Sequence, residues 1–151
     1  MDLRIIHVLR NPLASLVSLT QARSTGIYHL VSESSKLLER NPIGTRQSPW
    51  QQESAILHPD TCFRFISKTI RMRTTIKEKF GDAAYVEVNY EDLVEDIPRT
   101  LSKLHAFLGV EPIQIAPEEL QIDSRVLSER IVNYSELRRI CPRDFEFCFQ
   151  D

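Results

Sequence analysis

Leu3-Arg4-Ile5-Ile6-His7-Val8-Leu9-Arg10-Asn11-Pro12-Leu13-Ala14-Ser15-Leu16-Val17-Ser18 reads as a strand that runs directly into a helix. Residues 3 to 9 form a near-continuous apolar run, the composition of a central strand in a parallel sheet. The run ends in a cation, Arg10. Asn11 is a helix-capping residue, Pro12 suits a first helical turn, and Ser18 returns a hydroxyl two turns later. An arginine beside the open amides of a helix N-terminus makes an anion site, and phosphate is the anion it fits. The helix is predicted over residues 12 to about 24. Leu13, Leu16 and Val17 share one flank while Ser15, Ser18 and Ala22 share another, so core and ligand can take opposite sides. Only Met1 and Asp2 precede the strand, and the expectation is that any partner segment normally found upstream lies outside this chain.

Downstream of this unit, Gly26, Pro42, Gly44, Pro49 and many hydroxyl residues punctuate residues 24 to 52, with room for a short helix at Val31 to Arg40. Segments of that length are lids, substrate-contacting excursions or simply mobile connections. Residues 60 to 80 have a helical pattern, with Phe63, Ile66 and Ile70 on one side and Lys68, Arg71, Lys77 and Lys79 on a solvated remainder. Gly81-Asp82 ends that helix, and Ala84-Tyr-Val-Glu-Val88 is a short strand rich in β-formers. A further helix starts at Asp96 as cap, with Pro98 in its first turn, a stripe of Ile97, Leu101, Leu104 and Leu108, and Gly109 as its stop. Beyond Pro112 the pattern weakens to a helical stretch near Ser135 to Ile140 and an aromatic tail at Phe145, Phe147 and Phe149.

Composition narrows the function classes. The 151 residues are 42% hydrophobic, enough for a real core in one ordinary domain or part of a larger one. A formal net charge of -2 provides no global attraction to nucleic acid or an anionic membrane, so anion binding must be local and a nucleic-acid partner is disfavoured. No run approaches the roughly 18 to 20 apolar residues of a transmembrane segment, and the first residues lack a signal-peptide pattern. Cys62, Cys141 and Cys148 show no zinc-site spacing, so no metal is expected; one bridge plus a free thiol, or three thiols, are both open.

The order strand-helix-strand-helix points to an α/β layer with parallel strands, in which ligands gather at the carboxyl ends of strands. Arg10 to Ser18 and Asn89 to Leu93 fall at such ends, and both carry a family resemblance. RNPLASLVS resembles the 3′-phosphate-binding motif of sulfotransferases that use 3′-phosphoadenosine 5′-phosphosulfate, with Arg10 and Ser18 at its spacing and Asn11-Pro12 as a variant of its Asp-Pro. Val88-Asn-Tyr-Glu-Asp-Leu-Val-Glu-Asp-Ile-Pro98, continuing to Phe107-Leu108-Gly109, is similar to the family's Tyr-Glu-Asp-Leu segment and the helix after it. The resemblance implies a single partial domain over residues 1 to 151, well matched over 3 to 112 and loosely over 113 to 151. It implies an α/β fold: a partial three-layer sandwich on a parallel sheet, nucleotide-kinase-like with the P-loop missing, incomplete at its N-terminus. The tail Ile131-Val-Asn-Tyr-Ser-Glu-Leu137, followed by Cys141, is more similar to the carbohydrate type than to cytosolic members, whose late Arg-Lys-Gly element does not occur here. The carbohydrate type implies a full-length protein in the Golgi membrane with a lumenal domain, against a cytoplasmic alternative.

The resemblance also distributes roles among residues. A 3′-phosphate needs a planar, permanently charged partner, and Arg10 can engage two of its oxygens. Ser18 adds a hydroxyl donor, or else packs as a small residue between helix and sheet. Tyr90 contacts the adenine, as the resemblance implies, or is a core tyrosine. Glu91 and Asp92 belong to capping and ion pairing, not to catalysis. The family's Gly-Thr-Thr phosphosulfate loop is absent, since Gly26, Gly44, Gly81 and Gly109 lie in no such context, and the catalytic base is expected upstream of this chain. His7 reads as a core histidine, while His29, His58 and His105 have no partner marking a triad. Two functions are open: a sulfotransferase acting on a hydroxyl or amine acceptor, with carbohydrate implied by the tail, or an inactive module retaining weak adenosine 3′,5′-bisphosphate binding. A nucleotide kinase is disfavoured by the missing phosphate loop.

Overall fold

A computed structural model describes residues 3 to 25, 54 to 113 and 125 to 150. The helix suggested at Val31 to Arg40, and most of the excursion around it, lies outside the described residues. Two compact units share the chain: residues 1 to 11 with 67 to 116, and residues 12 to 66 with 117 to 151.

The first unit is built on two parallel strands, β1 (Ile5–Leu9) and β2 (Tyr85–Asn89), paired from Ile5↔Tyr85 through Leu9↔Asn89. The apolar run therefore forms the parallel strand its composition predicts. Its burial is lower than expected, with Val8 48% exposed, because β2 is its only strand partner among the described residues. Mixed helices and a small parallel sheet make the chain α/β.

One polar chain ties this unit together. His7 and Glu87 are register partners, and Tyr85 shares their face because side chains alternate along a strand. The Tyr85 hydroxyl donates to Glu87 Oε1 at 2.8 Å and lies 2.7 Å from His7 Nδ1. With the phenolic hydrogen committed to Glu87, His7 completes the chain by donating through Nδ1. The long helix α2 (Pro59–Ala84) contributes Arg73, which grips both Glu87 oxygens at 2.8 and 2.7 Å. The helical geometry of α2 breaks at Gly81, with φ +66° and ψ 168°, where the sequence places its end.

After β2 come the short helix α3 (Tyr90–Glu95) and the amphipathic helix α4 (Ile97–Leu108). Asp96 caps α4 by accepting the Arg99 amide at 3.0 Å, as its position predicts. Gly109 adopts φ +68°; its amide returns to Ala106 O and that of Val110 to His105 O, closing the helix in a Schellman turn. The buried line of α4 runs through Thr100 and His105, with Ile97, Leu101 and Leu104 half-buried and Leu108 exposed. A polar residue can occupy that line because the Thr100 hydroxyl donates to Asp92 O at 3.2 Å. At the other end, Arg4 stacks on Phe107 and hydrogen-bonds its carbonyl, joining β1 to α4.

The second unit holds most of the fully buried side chains. Helix α1 (Pro12–Thr25) buries Leu13, Leu16 and Val17 and leaves Ser15, Ser18 and Ala22 half-buried, the division its sequence predicts. The first turns of α2 add Cys62 and Ile66. The tail supplies α5 (Leu127–Arg130), α6 (Tyr134–Arg139) and a 3-10 segment at Arg143–Phe149. Ile131, Leu137, Cys148 and Phe149 enter the core. Ala55 bridges Ile131 in parallel, and the Asn133 amide clamps both backbone groups of Leu57 at 3.1 and 2.8 Å. The weakly patterned tail thus binds through backbone pairing and isolated anchors, which leave no periodic signal.

Glu87 is held down to about 2, from 4.5, first by the Arg73 hydrogen bonds and then by Tyr85. Its contribution to stability is complete above about pH 4.5 and is lost as pH falls toward about 2. Tyr85 is pushed up to about 12, from 10.0, by burial and by its bond to Glu87, so its contribution is lost as pH rises through that interval. Denaturation midpoints measured against pH should therefore fall at both extremes, and Glu87→Gln should flatten the acid limb; an unchanged acid limb in that variant contradicts the network. Independently, Gly109→Ala should cost about 1 to 2 kcal/mol in chemical denaturation, because its left-handed φ of +68° strains any side chain.

Candidate functional site

The register of the sheet places two of the candidate residues, both in the first unit. Leu9 and Asn89 are the last paired residues, so Arg10 and Tyr90 emerge side by side one residue beyond the carboxyl ends of two parallel strands. The Arg10 guanidinium lies over the Tyr90 ring, 4.4 Å from its centroid, and both residues are half-buried. A cation on a ring face is attracted by the ring's quadrupole while its in-plane N–H donors stay available. Among the described residues no hydrogen bond or ion pair engages that guanidinium. Glu91 and Asp92 are exposed, and Asp92 accepts from Asn89 Nδ2 at 3.1 Å, the turn-supporting role expected of it. Two positions chosen separately from the sequence, Arg10 and Tyr90, are thus brought into contact.

Ser18 belongs to the second unit, on the small-residue flank of α1. Arg130 Nη2 donates to its hydroxyl oxygen at 3.1 Å and to Gln21 Oε1 at 3.0 Å. The hydroxyl accepts from Arg130, so its single hydrogen is directed elsewhere and remains a donor. Arg130 is only 5% exposed, and the two bonds from Nη2 offset part of the cost of burying its guanidinium. This residue escapes a reading by periodicity because it closes the four-residue helix α5, too short to show a face. The available signal is an arginine placed between Leu127 and Ile131, both of which are buried.

The profile of the family described as "sulfotransferase domain" matches residues 1 to 139. The chain belongs to the sulfotransferase domain family. It is also 27% identical over 139 residues to Nodulation protein H of Rhizobium tropici, covering 91% of this chain and 50% of that protein. The chain therefore spans about half the length of the curated relative it matches. No solved structure matches the chain. The family match continues through the tail to residue 139 and so takes in Arg130 as well as Arg10, Ser18 and Tyr90.

Among the described residues of this sulfotransferase domain, His7 is the histidine with a side-chain partner, Tyr85, and it sits mid-strand in the polar chain. His105 is buried, its Nδ1 making no hydrogen bond among the described residues, and His29 lies outside them. Among the described residues no group of histidine, cysteine and acidic side chains is arranged to hold a metal ion. Cys62, Cys141 and Cys148 form no disulfide with one another. Burial, followed by the neighbouring thiols, pushes Cys62 up to about 11 and Cys148 up to about 12, and burial also raises Cys141. None is a ready thiolate at neutral pH. Alkylation of the native protein should therefore modify Cys141, which is partly exposed, well before Cys62 and Cys148, which are fully buried. Peptide mapping after timed quenching checks the order, and equal rates for the three would contradict the packing of the second unit.

Proposed function

We propose that the full-length protein transfers a sulfuryl group from 3′-phosphoadenosine 5′-phosphosulfate to a hydroxyl or amine acceptor, and that this chain supplies the part recognising the donor's 3′-phosphate. The observation that carries this reading is the Arg10 guanidinium held on Tyr90 at the carboxyl ends of two parallel strands, within a chain of the sulfotransferase family. The three-layer, nucleotide-kinase-like architecture that the family implies is the frame in which those strand ends face the donor.

Each residue has a definite part in that reading. Arg10 offers two parallel N–H donors to phosphate oxygens, a geometry a lysine does not reproduce. Ser18 offers its hydroxyl hydrogen, the Arg130 contact having taken its oxygen. In the transfer itself, the acceptor's oxygen or nitrogen forms a bond to sulfur as the bond from sulfur to the bridging oxygen breaks. Adenosine 3′,5′-bisphosphate leaves with that electron pair, and the acceptor's proton passes to a base. The resemblance of Ile131 to Leu137 and Cys141 to the carbohydrate type favours a sugar hydroxyl as acceptor.

Titration calorimetry on the full-length protein tests the donor assignment. Adenosine 3′,5′-bisphosphate should bind much more tightly than AMP. Arg10→Ala should remove about 1.5 to 3 kcal/mol of that preference, the worth of a charged hydrogen bond. Equal affinity for the two nucleotides, or an unchanged preference in Arg10→Ala, defeats the 3′-phosphate assignment.

A further inference from the structure

The resemblance assigns Tyr90 to the adenine, yet the ring is already in use. We infer that Tyr90 is a positioning residue for Arg10: its ring face holds the guanidinium in the plane that receives the 3′-phosphate, and its hydroxyl makes no contact that binding requires. The inference rests on the proposed reading of Arg10 as the phosphate ligand.

Three observations carry it. The guanidinium lies 4.4 Å from the Tyr90 centroid, so the side of the ring turned toward Arg10 is not available to a base. An arginine at a phosphate site needs a support that neither neutralises its charge nor consumes its N–H donors. A carboxylate partner does both, while an aromatic face does neither. The two nearest carboxylates in sequence, Glu91 and Asp92, do not engage Arg10, and the Asp92 carboxylate is committed to Asn89 Nδ2. Third, the ring's own backbone is fixed. Tyr90 follows the last paired residue of β2 and opens α3, whose Asp92 carbonyl accepts from both the Asp96 amide and the Thr100 hydroxyl. A ring mounted on a strand end and a pinned helix is a stable platform, whereas a free arginine side chain has several rotatable bonds to order on binding.

Calorimetric affinities for adenosine 3′,5′-bisphosphate and for AMP separate this role from adenine contact, using Tyr90→Phe, Tyr90→Leu, Arg10→Ala and the Arg10→Ala/Tyr90→Leu double variant of the full-length protein. Tyr90→Phe keeps the ring face and should leave both affinities within about twofold. Tyr90→Leu should weaken the bisphosphate about fivefold and spare AMP. The double variant should bind the bisphosphate no more weakly than Arg10→Ala alone, because the ring acts through the arginine. Equal losses for both nucleotides in Tyr90→Leu, additive losses in the double variant, or a loss for AMP in Tyr90→Phe would return the ring or its hydroxyl to the adenine and overturn the inference. Should Tyr90→Leu not fold, Tyr90→Met takes its place under the same criteria, since Tyr90→Phe keeps the ring and tests the hydroxyl alone. An Arg10→Ala variant with its preference intact fails the phosphate assignment itself, a result distinguishable from all of these.

Discussion

Parallel backbone pairing between β1 and β2 is the constraint on which the candidate site depends. Hydrogen bonding in the register Leu9↔Asn89 brings together two segments eighty positions apart and stops both strands at the same level. Whatever follows each strand must then emerge at the same place. Arg10 follows one and Tyr90 the other, and their 4.4 Å stacking is a consequence of that shared ending. A register slip of one residue would also reverse the face that each β1 side chain presents, so the same pairing sets the interior of the unit.

Beneath that rim lies the second consequence. With His7 opposite Glu87 and Tyr85 two residues away, polar groups crowd one face of a two-stranded sheet, and Arg73 of α2 completes their hydrogen bonding. A charge left in such a place without its partners is costly, so the network holds strand and helix in one arrangement. Its members are spent on structure, while among the described residues the Arg10 guanidinium meets only the Tyr90 ring. That contrast separates cations that look equivalent in sequence.

The second unit shows a different economy. Residues 127 to 149 carry little periodicity, yet they supply Ile131, Leu137, Cys148 and Phe149 to the core and Arg130 to the flank of α1 that bears Ser18. They are held by the bridge at Ala55, by the Asn133 clamp on Leu57, and by the Tyr134 hydroxyl donating to Phe149 O at 2.8 Å. Such contacts depend on single residues meeting distant backbone. Nothing in the local order of the tail announces them.

Local chemistry, by itself, determined much of this protein. An apolar run specified β1, a small-residue flank against an apolar one oriented α1, and Gly81, Asp96 and Gly109 marked helix boundaries through their conformational or capping preferences. Arg10, Ser18 and Tyr90 were legible as site candidates because motif spacing is itself a local property. Tertiary structure alone decided who meets whom: Tyr90 under Arg10, Arg130 on Ser18, Tyr85 between His7 and Glu87, and Thr100 in place of Leu108 on the buried line of α4. The physical reason is common to all four. Propensity and periodicity act over one or two turns of chain, whereas these contacts depend on strand register and on hydrogen-bond partners distant in sequence or in another element.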